Sequence, residues 1–289
     1  MALGEANFRD AEQALLYLES LGQLADDQID VFEAALALSI QSHPGISLDK
    51  YRNHRIRLAE ELIATHADYI AAGNLDNLDA KIHAMGEVFT RRQGYIGDDL
   101  RYNDLQNADL MRVIDRRLGL PITLSLICMT MGADVGWPVV GINFPAHFVI
   151  RMSEGGIRQI VDPFQGCIVL GAHDLRDILK KTMGEKAELS AKYYDPASNR
   201  ETLLRLQNNI KFRQIEAEDY QEALASVDLM KRFAPDEHRL DLDAGVLMAR
   251  LERPAAAIEA LERYVSRVPD PREKYEAVQL LRELKGSLN

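Results

Sequence analysis

The sequence predicts an α+β protein in three parts. N-terminal helices come first, then a core in which a buried helix lies on a small antiparallel sheet, then C-terminal helical repeats. Three observations predict it. Apolar residues recur at i, i+3, i+4 and i+7 through most of residues 1–100. The period breaks between 118 and 170, where one continuous apolar stretch is followed by short Val/Ile-rich runs divided by glycines. Beyond that the helical period returns, and Pro235 and Pro269 lie 34 residues apart, the spacing of a stacked helical repeat. The expected borders are 1–100 for the helical region, 101–198 for the core and 199–289 for the repeats.

In the first part, "FRDAEQALLYLESLG" and "DDQIDVFEAALALSIQSH" carry the helical stripe. Asp26 and Asp27 suit a helix start, and Pro44-Gly45 an end. A long helix should run from Ser47–Asp49 to Gly73, and another through "NLDAKIHAMGEVFTRRQG". His54, His66 and His83 fall on these helices with no HExxH pattern and no nearby cysteine pair, so each reads as a packed or solvated histidine.

In the second part, "PITLSLICMTMGADVG" is apolar on every side, the mark of a helix buried all round. Pro121 suits its first turn, where the missing N–H is not needed, and Gly136 suits its end. The runs "PVVGINF", "AHFVIRM", "IRQIVDPF" and "CIVLG" read as four strands.

Composition narrows the functional classes. A net charge of −11 with no clustered Lys/Arg face argues against nucleic acid and anionic membranes as partners. No apolar run approaches the roughly 18 residues of a membrane span. The first residues lack the basic and apolar segments of a secretion signal, so the cytoplasm is the expected compartment. Cys128 and Cys167 form no disulfide framework and no metal-ligand spacing, and neither a metal nor a cofactor is expected.

The candidate chemistry is a pair. Gly155-Gly156 marks a hairpin turn. If the turn is centred between Glu154 and Gly155, His147 faces Asp162, Phe148 faces Val161 and Val149 faces Ile160. Opposed residues have Cβ atoms about 4.5–5.5 Å apart, a gap that a His–Asp hydrogen bond crosses. The same register sets Arg151 against Arg158. A carboxylate on one imidazole nitrogen fixes the tautomer and raises basicity, which is the orienting half of a nucleophile–His–Asp triad. The plainer reading is a His–Asp pair that ties two strands together.

The stretch "YNDLQNADLMRVIDRRLGLPITLSLICMTMGADVGWPVVGINFPAHFVIRM", followed by "VDPF", resembles the transglutaminase-like core of bacterial proteins of the invasion-regulator-B type. In those proteins the core precedes a tetratricopeptide region. The resemblance implies a papain-like fold in which a Cys opens the buried helix, a His lies on the next strand and an Asp on the one after. His147 and Asp162 take the last two places. The nucleophile place falls on Pro121, which has no nucleophilic atom. Ser125, one turn on and about 6 Å along at 1.5 Å per residue, is the stand-in; Cys128 lies about 10 Å along, and Thr123 faces away. The expectation is therefore a vestigial dyad in a non-catalytic protein with a regulatory or protein-binding role. The alternative is a hydrolase or acyl transferase using His147 and Asp162 with Ser125 or water.

The C-terminal part resembles tetratricopeptide repeats. Gly245, Ala257, Tyr264 and Pro269 suit the unit at 238–271. The unit at 204–237 is degenerate, with Lys211 where a small residue belongs, and "DPREKYEAVQLLRELKG" serves as the capping helix. A protein partner is expected through this region. The groove-facing positions are Arg205, Asn208, Phe212 and Ile215, then Arg239, Leu242, Val246 and Ala249. Because several are apolar, the groove is expected to be at least partly filled by the N-terminal helices or the core.

Overall fold

The computed structural model describes Ala6 and residues 8–287. Its helices, in chain order, are α1 (Ala11–Leu21), α2 (Val31–Ser39), α3 (Asp49–Ala71), α4 (Leu78–Gly86), α5 (Leu110–Arg116), α6 (Pro121–Asp134), α7 (Ala172–Met183), α8 (Asn199–Glu216), α9 (Tyr220–Phe233), α10 (Arg239–Arg250), α11 (Pro254–Arg267) and α12 (Tyr275–Ser287). The strands are β1 (Ile96–Gly97), β2 (Leu118–Gly119), β3 (Val139–Ile142), β4 (Val149–Glu154), β5 (Ile157–Asp162) and β6 (Ile168–Leu170). The chain forms two compact units, one of residues 1–14 and 26–206, the other of residues 15–25 and 207–289. The expected border at 100/101 therefore falls inside the first unit, where the early helices and the sheet share one body.

The first unit is built around α6. Every residue from Pro121 to Gly132 is buried. The helix packs on α2, α3 and α5, and also on β3, β4 and the turn Pro163–Gln165. A helix enclosed on all sides has no polar stripe, which is why this segment lacks one. Its polar groups are satisfied locally: Thr130 Oγ1 donates to the Leu126 carbonyl at 2.9 Å. Arg55 of α3 locks the layers by ion pairs to Asp30 before α2 and Asp134 at the end of α6, both at 2.7 Å.

The main sheet is antiparallel in the order β3-β4-β5-β6, and β1 pairs with β2 in a separate parallel ribbon. The β4–β5 register corrects the expected one. Ile150 pairs with Val161, Arg151 with Ile160, Ser153 with Arg158 and Glu154 with Ile157. The turn is centred between Gly155 and Gly156, whose φ values are 55° and 85°. Two central residues at positive φ match the twist of a two-residue hairpin, and glycine takes that conformation without steric cost. The slip is two residues, so each side chain keeps its face. It also moves Arg151 off Arg158.

In the second unit, α10 and α11 form the well-matched repeat. Gly245 lies so close to Leu261 that an added Cβ would come within 2.6 Å of it. Ala257, Tyr264 and Val268 are buried there, and α12 seals the end with Ala277 and Leu281. Residues 15–25 belong to this unit. Gly22 abuts the Arg232 carbonyl and Pro235 at the end of α9, and Glu19 pairs with Arg232.

Candidate functional site

The first turn of α6 is held from below. Leu120 N–H and Thr123 Oγ1 both donate to the Asn107 carbonyl, at 3.0 and 2.9 Å. Asn107 is itself anchored: its side-chain amide donates to the Arg101 carbonyl at 2.7 Å, and its oxygen accepts from Arg116 at 3.1 Å. Arg116 continues to Asp98 at 3.1 Å. Burial pushes the Asp98 carboxyl up, but the Arg101 N–H, Asn107 and the neighbouring arginines outweigh it and hold Asp98 below the ordinary range. Pro121 therefore opens α6 as expected, buried and with no side-chain cap.

His147 and Asp162 meet as expected, by a different route. His147 is not on a strand. It closes the turn that begins at Phe144 and lies two residues before β4, after Ala146 at φ 55°. Its N–H donates to the Phe144 carbonyl at 3.1 Å. In the observed ladder the residue continuing opposite Asp162 is Val149, so His147 reaches Asp162 diagonally, a span that a long side chain covers. The Nε2 to Oδ2 distance is 2.9 Å. Asp162 is wholly buried, and its other oxygen, Oδ1, accepts the Phe164 N–H at 2.9 Å, capping the turn Pro163–Gln165. With Nε2–H donating to the carboxylate, Nδ1 is the ring atom left for chemistry.

Aromatic rings frame the pair. Phe164 stands edge-on to the His147 ring, with centroids 6.0 Å apart, and Tyr102 stands edge-on to Phe164 at the same separation. The Phe164 ring lies on Gly97, where an added Cβ would fall 2.4 Å from it. The Tyr102, Gly97 and Asn107 contributions were missed in the sequence. Gly97 in the "YIGDD" run was the signal available, since a glycine in a strand marks a close approach.

The stand-in nucleophile does not join them. Ser125 is fully buried, and its hydroxyl donates to the Phe148 carbonyl at 3.3 Å, not to His147. Thr123 is committed to Asn107, facing away as expected. Cys128 and Cys167, treated as unrelated in the sequence, are neighbours in the core. Burial pushes the Cys128 thiol well up, and the Cys167 thiol hydrogen-bonded to it adds to the shift. A protonated, buried thiol is a poor nucleophile.

A model of the transglutaminase-like superfamily matches residues 49–208. The chain belongs to that superfamily. A tetratricopeptide-repeat model matches residues 210–282, so this transglutaminase-like protein carries helical repeats after its core. A UPF0162 protein of Pseudomonas aeruginosa is 32% identical over 90% of this chain and 93% of its own length. One of Xylella fastidiosa is 25% identical over 89% of this chain and 91% of its own. Protein SirB1 of Salmonella typhimurium is 27% identical over 56% of this chain and 60% of its own. No solved structure matches. Among the described residues no group of three or more His, Cys, Asp or Glu side chains is placed to hold a metal, and no helix is long and apolar enough to cross a membrane.

The repeat unit holds a cavity beside its expected groove. Phe212 is 56% exposed and Val246 39%, while Ile215 and Leu242 are half-buried. Ile215, Leu242 and Val246, with Ala277 and Leu280 of α12, border a cavity of about 430 Å³, all of whose lining residues come from this unit. Of the four apolar positions expected to be at least partly covered, Phe212 and Val246 are exposed and Ile215 and Leu242 half-buried. Residues 15–25 belong to the repeat unit, and Gly22 and Glu19 among them meet the end of α9. The cavity is walled on one side by α12, whose buried Ala277 and Leu281 fix it to α11.

Proposed function

We propose that this is a non-catalytic transglutaminase-like protein that binds a protein partner through the groove of its repeats. The observation that carries the reading is the isolation of the dyad. Pro121 fills the place of the nucleophile, and the one hydroxyl a turn away, that of Ser125, is spent on the Phe148 carbonyl. Without an activated nucleophile the covalent route is closed, since a His–Asp pair alone has nothing to deprotonate but water. The groove supports the binding half of the reading, because an exposed apolar surface on a soluble unit marks an interaction site.

The test has two arms. A fluorophosphonate and an acylating amide probe should label native protein no more than they label His147→Ala. Capture of a partner should be strong on native protein and lost on Leu242→Asp, with both proteins showing the same helical circular dichroism. Native labelling abolished by His147→Ala would overturn the non-catalytic reading.

A second reading keeps one favourable observation. The His147–Asp162 bond is intact at 2.9 Å, so a hydrolase that activates water at Nδ1 retains half of its machinery. Turnover of a small activated ester, lost in His147→Ala and kept in Ser125→Ala, would support that alternative.

A further inference from the structure

The β4–β5 hairpin carries two arginines on one face. Arg151 pairs with Ile160 and Ser153 with Arg158, so these four side chains alternate onto the same side of the sheet. Arg151 and Arg158 are diagonal neighbours, about 7–8 Å apart at Cβ and within reach of one another as long side chains. Ser153 stands directly across from Arg158.

Arg151 is held in place. Val140 and Ile160 are its direct neighbours in the ladder, and its Nη1 donates to the Tyr194 carbonyl at 3.0 Å. The rest of the guanidinium is unmet. Nε is buried with no acceptor, and Nη2 has none among the described residues. Nε and Nη2 together form the side-on edge by which an arginine grips an oxyanion through two parallel bonds. The Arg158 guanidinium is exposed, and neither it nor the Ser153 hydroxyl has a hydrogen-bond partner among the described residues.

The charges on this face do not balance. Asp195 is the one carboxylate near enough to act on Arg151, and among the described residues it forms no ion pair. Burial and the neighbouring Arg158 push Arg151 below the ordinary arginine value, against the pull of Asp195. Like charges side by side on a sheet destabilise it, and an unmet buried donor costs free energy. An anion between the two arginines relieves both. A planar carboxylate takes one guanidinium edge and leaves the second arginine and the hydroxyl without partners. A tetrahedral oxyanion has oxygens for all three. With a net charge of −11 the protein as a whole repels anions, so these local donors are what holds one.

We propose that the β4–β5 hairpin binds a phosphate group, its oxygens received by the Nε–Nη2 edge of Arg151, the Arg158 guanidinium and the Ser153 hydroxyl. The site is separate from the repeat groove and does not depend on what the groove binds.

Inorganic phosphate and phenyl phosphate, each titrated into the full chain at constant ionic strength, test it, with backbone amide and arginine Nε–H resonances followed by NMR. Saturable shifts should appear at residues 151–160 and at the Arg151 Nε–H. Acetate should bind at least fivefold more weakly. Arg158→Ala, at an exposed and unpaired position, should keep the fold and weaken phosphate about tenfold, the loss of one charged hydrogen-bonded contact. Arg151→Lys keeps the charge but loses the fork, and should weaken it as well. Asp195→Asn removes the competing carboxylate and should tighten binding at least twofold. Tighter binding of phenyl phosphate supports a site for a phosphorylated molecule; equal or tighter binding of inorganic phosphate supports a site for the free ion. No saturable shift, shifts confined to other regions, equal binding of acetate, or unchanged affinity in Arg158→Ala would overturn the proposal.

Discussion

Asp162 in the sheet and Asp243 in the repeats each hold a basic side chain, but they differ in what is left over. Asp162 is wholly buried; one oxygen takes His147, the other takes the Phe164 N–H, and its carbonyl takes the Cys167 N–H at 2.8 Å. Asp243 is 33% exposed and gives one oxygen to Lys211. A buried polar group must find its partners inside the fold, because an unmet acceptor or donor there costs free energy that folding cannot recover. A group at a groove can leave a lone pair to water or to a ligand. The first arrangement is complete and serves the fold even with no reaction to run. The second is left partly open to solvent.

Breaking the complete site should have the largest effect. Asp162→Ala orphans the Phe164 N–H and frees His147, and should cost about 3 kcal/mol in urea unfolding. Asp162→Asn keeps an acceptor for the Phe164 N–H and should cost clearly less. Equal losses would mean that the turn cap contributes nothing and that the His–Asp contact alone holds the hairpin.

A second buried histidine sharpens the contrast. His54 Nε2 lies 2.7 Å from the Tyr95 hydroxyl and 3.2 Å from Arg117 Nη1. Burial first, then Arg117, Arg57 and Lys50, push its pKa down to about 4. Burial likewise pushes the Tyr95 hydroxyl well up, so that group stays neutral. Between the ordinary histidine value of about 6.5 and about 4, the unfolded chain binds a proton that the folded chain refuses. Stability should therefore fall as pH drops through this window, by at most about 3 kcal/mol, and the fall should be complete near the lower end. The difference between native protein and His54→Gln across pH 7 to pH 4 isolates it; parallel curves would show that His54 titrates normally.

In the groove, Lys211→Ala should cost about 1–2 kcal/mol, since the carboxylate it abandons is partly hydrated. Lys211→Met keeps the stem's packing and should cost less than the alanine. If both cost the same, the ion pair rather than the stem holds α8 on α10. The smallest effect is expected from Ser125→Ala. One hydrogen bond of 3.3 Å to Phe148 is lost, about 0.5–1.5 kcal/mol of stability, with no change in any probe labelling.

Several features were legible because local physics sets them. The unbroken apolar run of α6 announced a buried helix, and Pro121 and Gly136 marked its ends. The pairing of His147 with Asp162 was legible through hairpin parity, although the register was off by two. Parity survives a slip of two because side chains alternate with period 2, so the right residues met for a partly wrong reason. What decided the register was the positive φ of both Gly155 and Gly156, which sequence symbols do not display. Other features were not legible at all. Cys128 and Cys167 are far apart in sequence, and no local pattern signals that they touch. The Asn107–Arg116–Asp98 support is likewise built across loops and helices.

The sequence by itself determined the class, the order of the parts, the buried helix, the absence of a nucleophilic atom at Pro121 and the repeat spacing. Each depends on residue identity or on periodicity over a few turns. Tertiary structure decided which groups are spent and which are left over. It committed the Ser125 hydroxyl to the Phe148 carbonyl, placed His147 ahead of its strand, brought Gly22 and Glu19 to the end of α9 and walled one side of the cavity with α12. Those outcomes depend on distances between segments remote in sequence, where packing and hydrogen-bond satisfaction are settled jointly and no single stretch of chain carries the information.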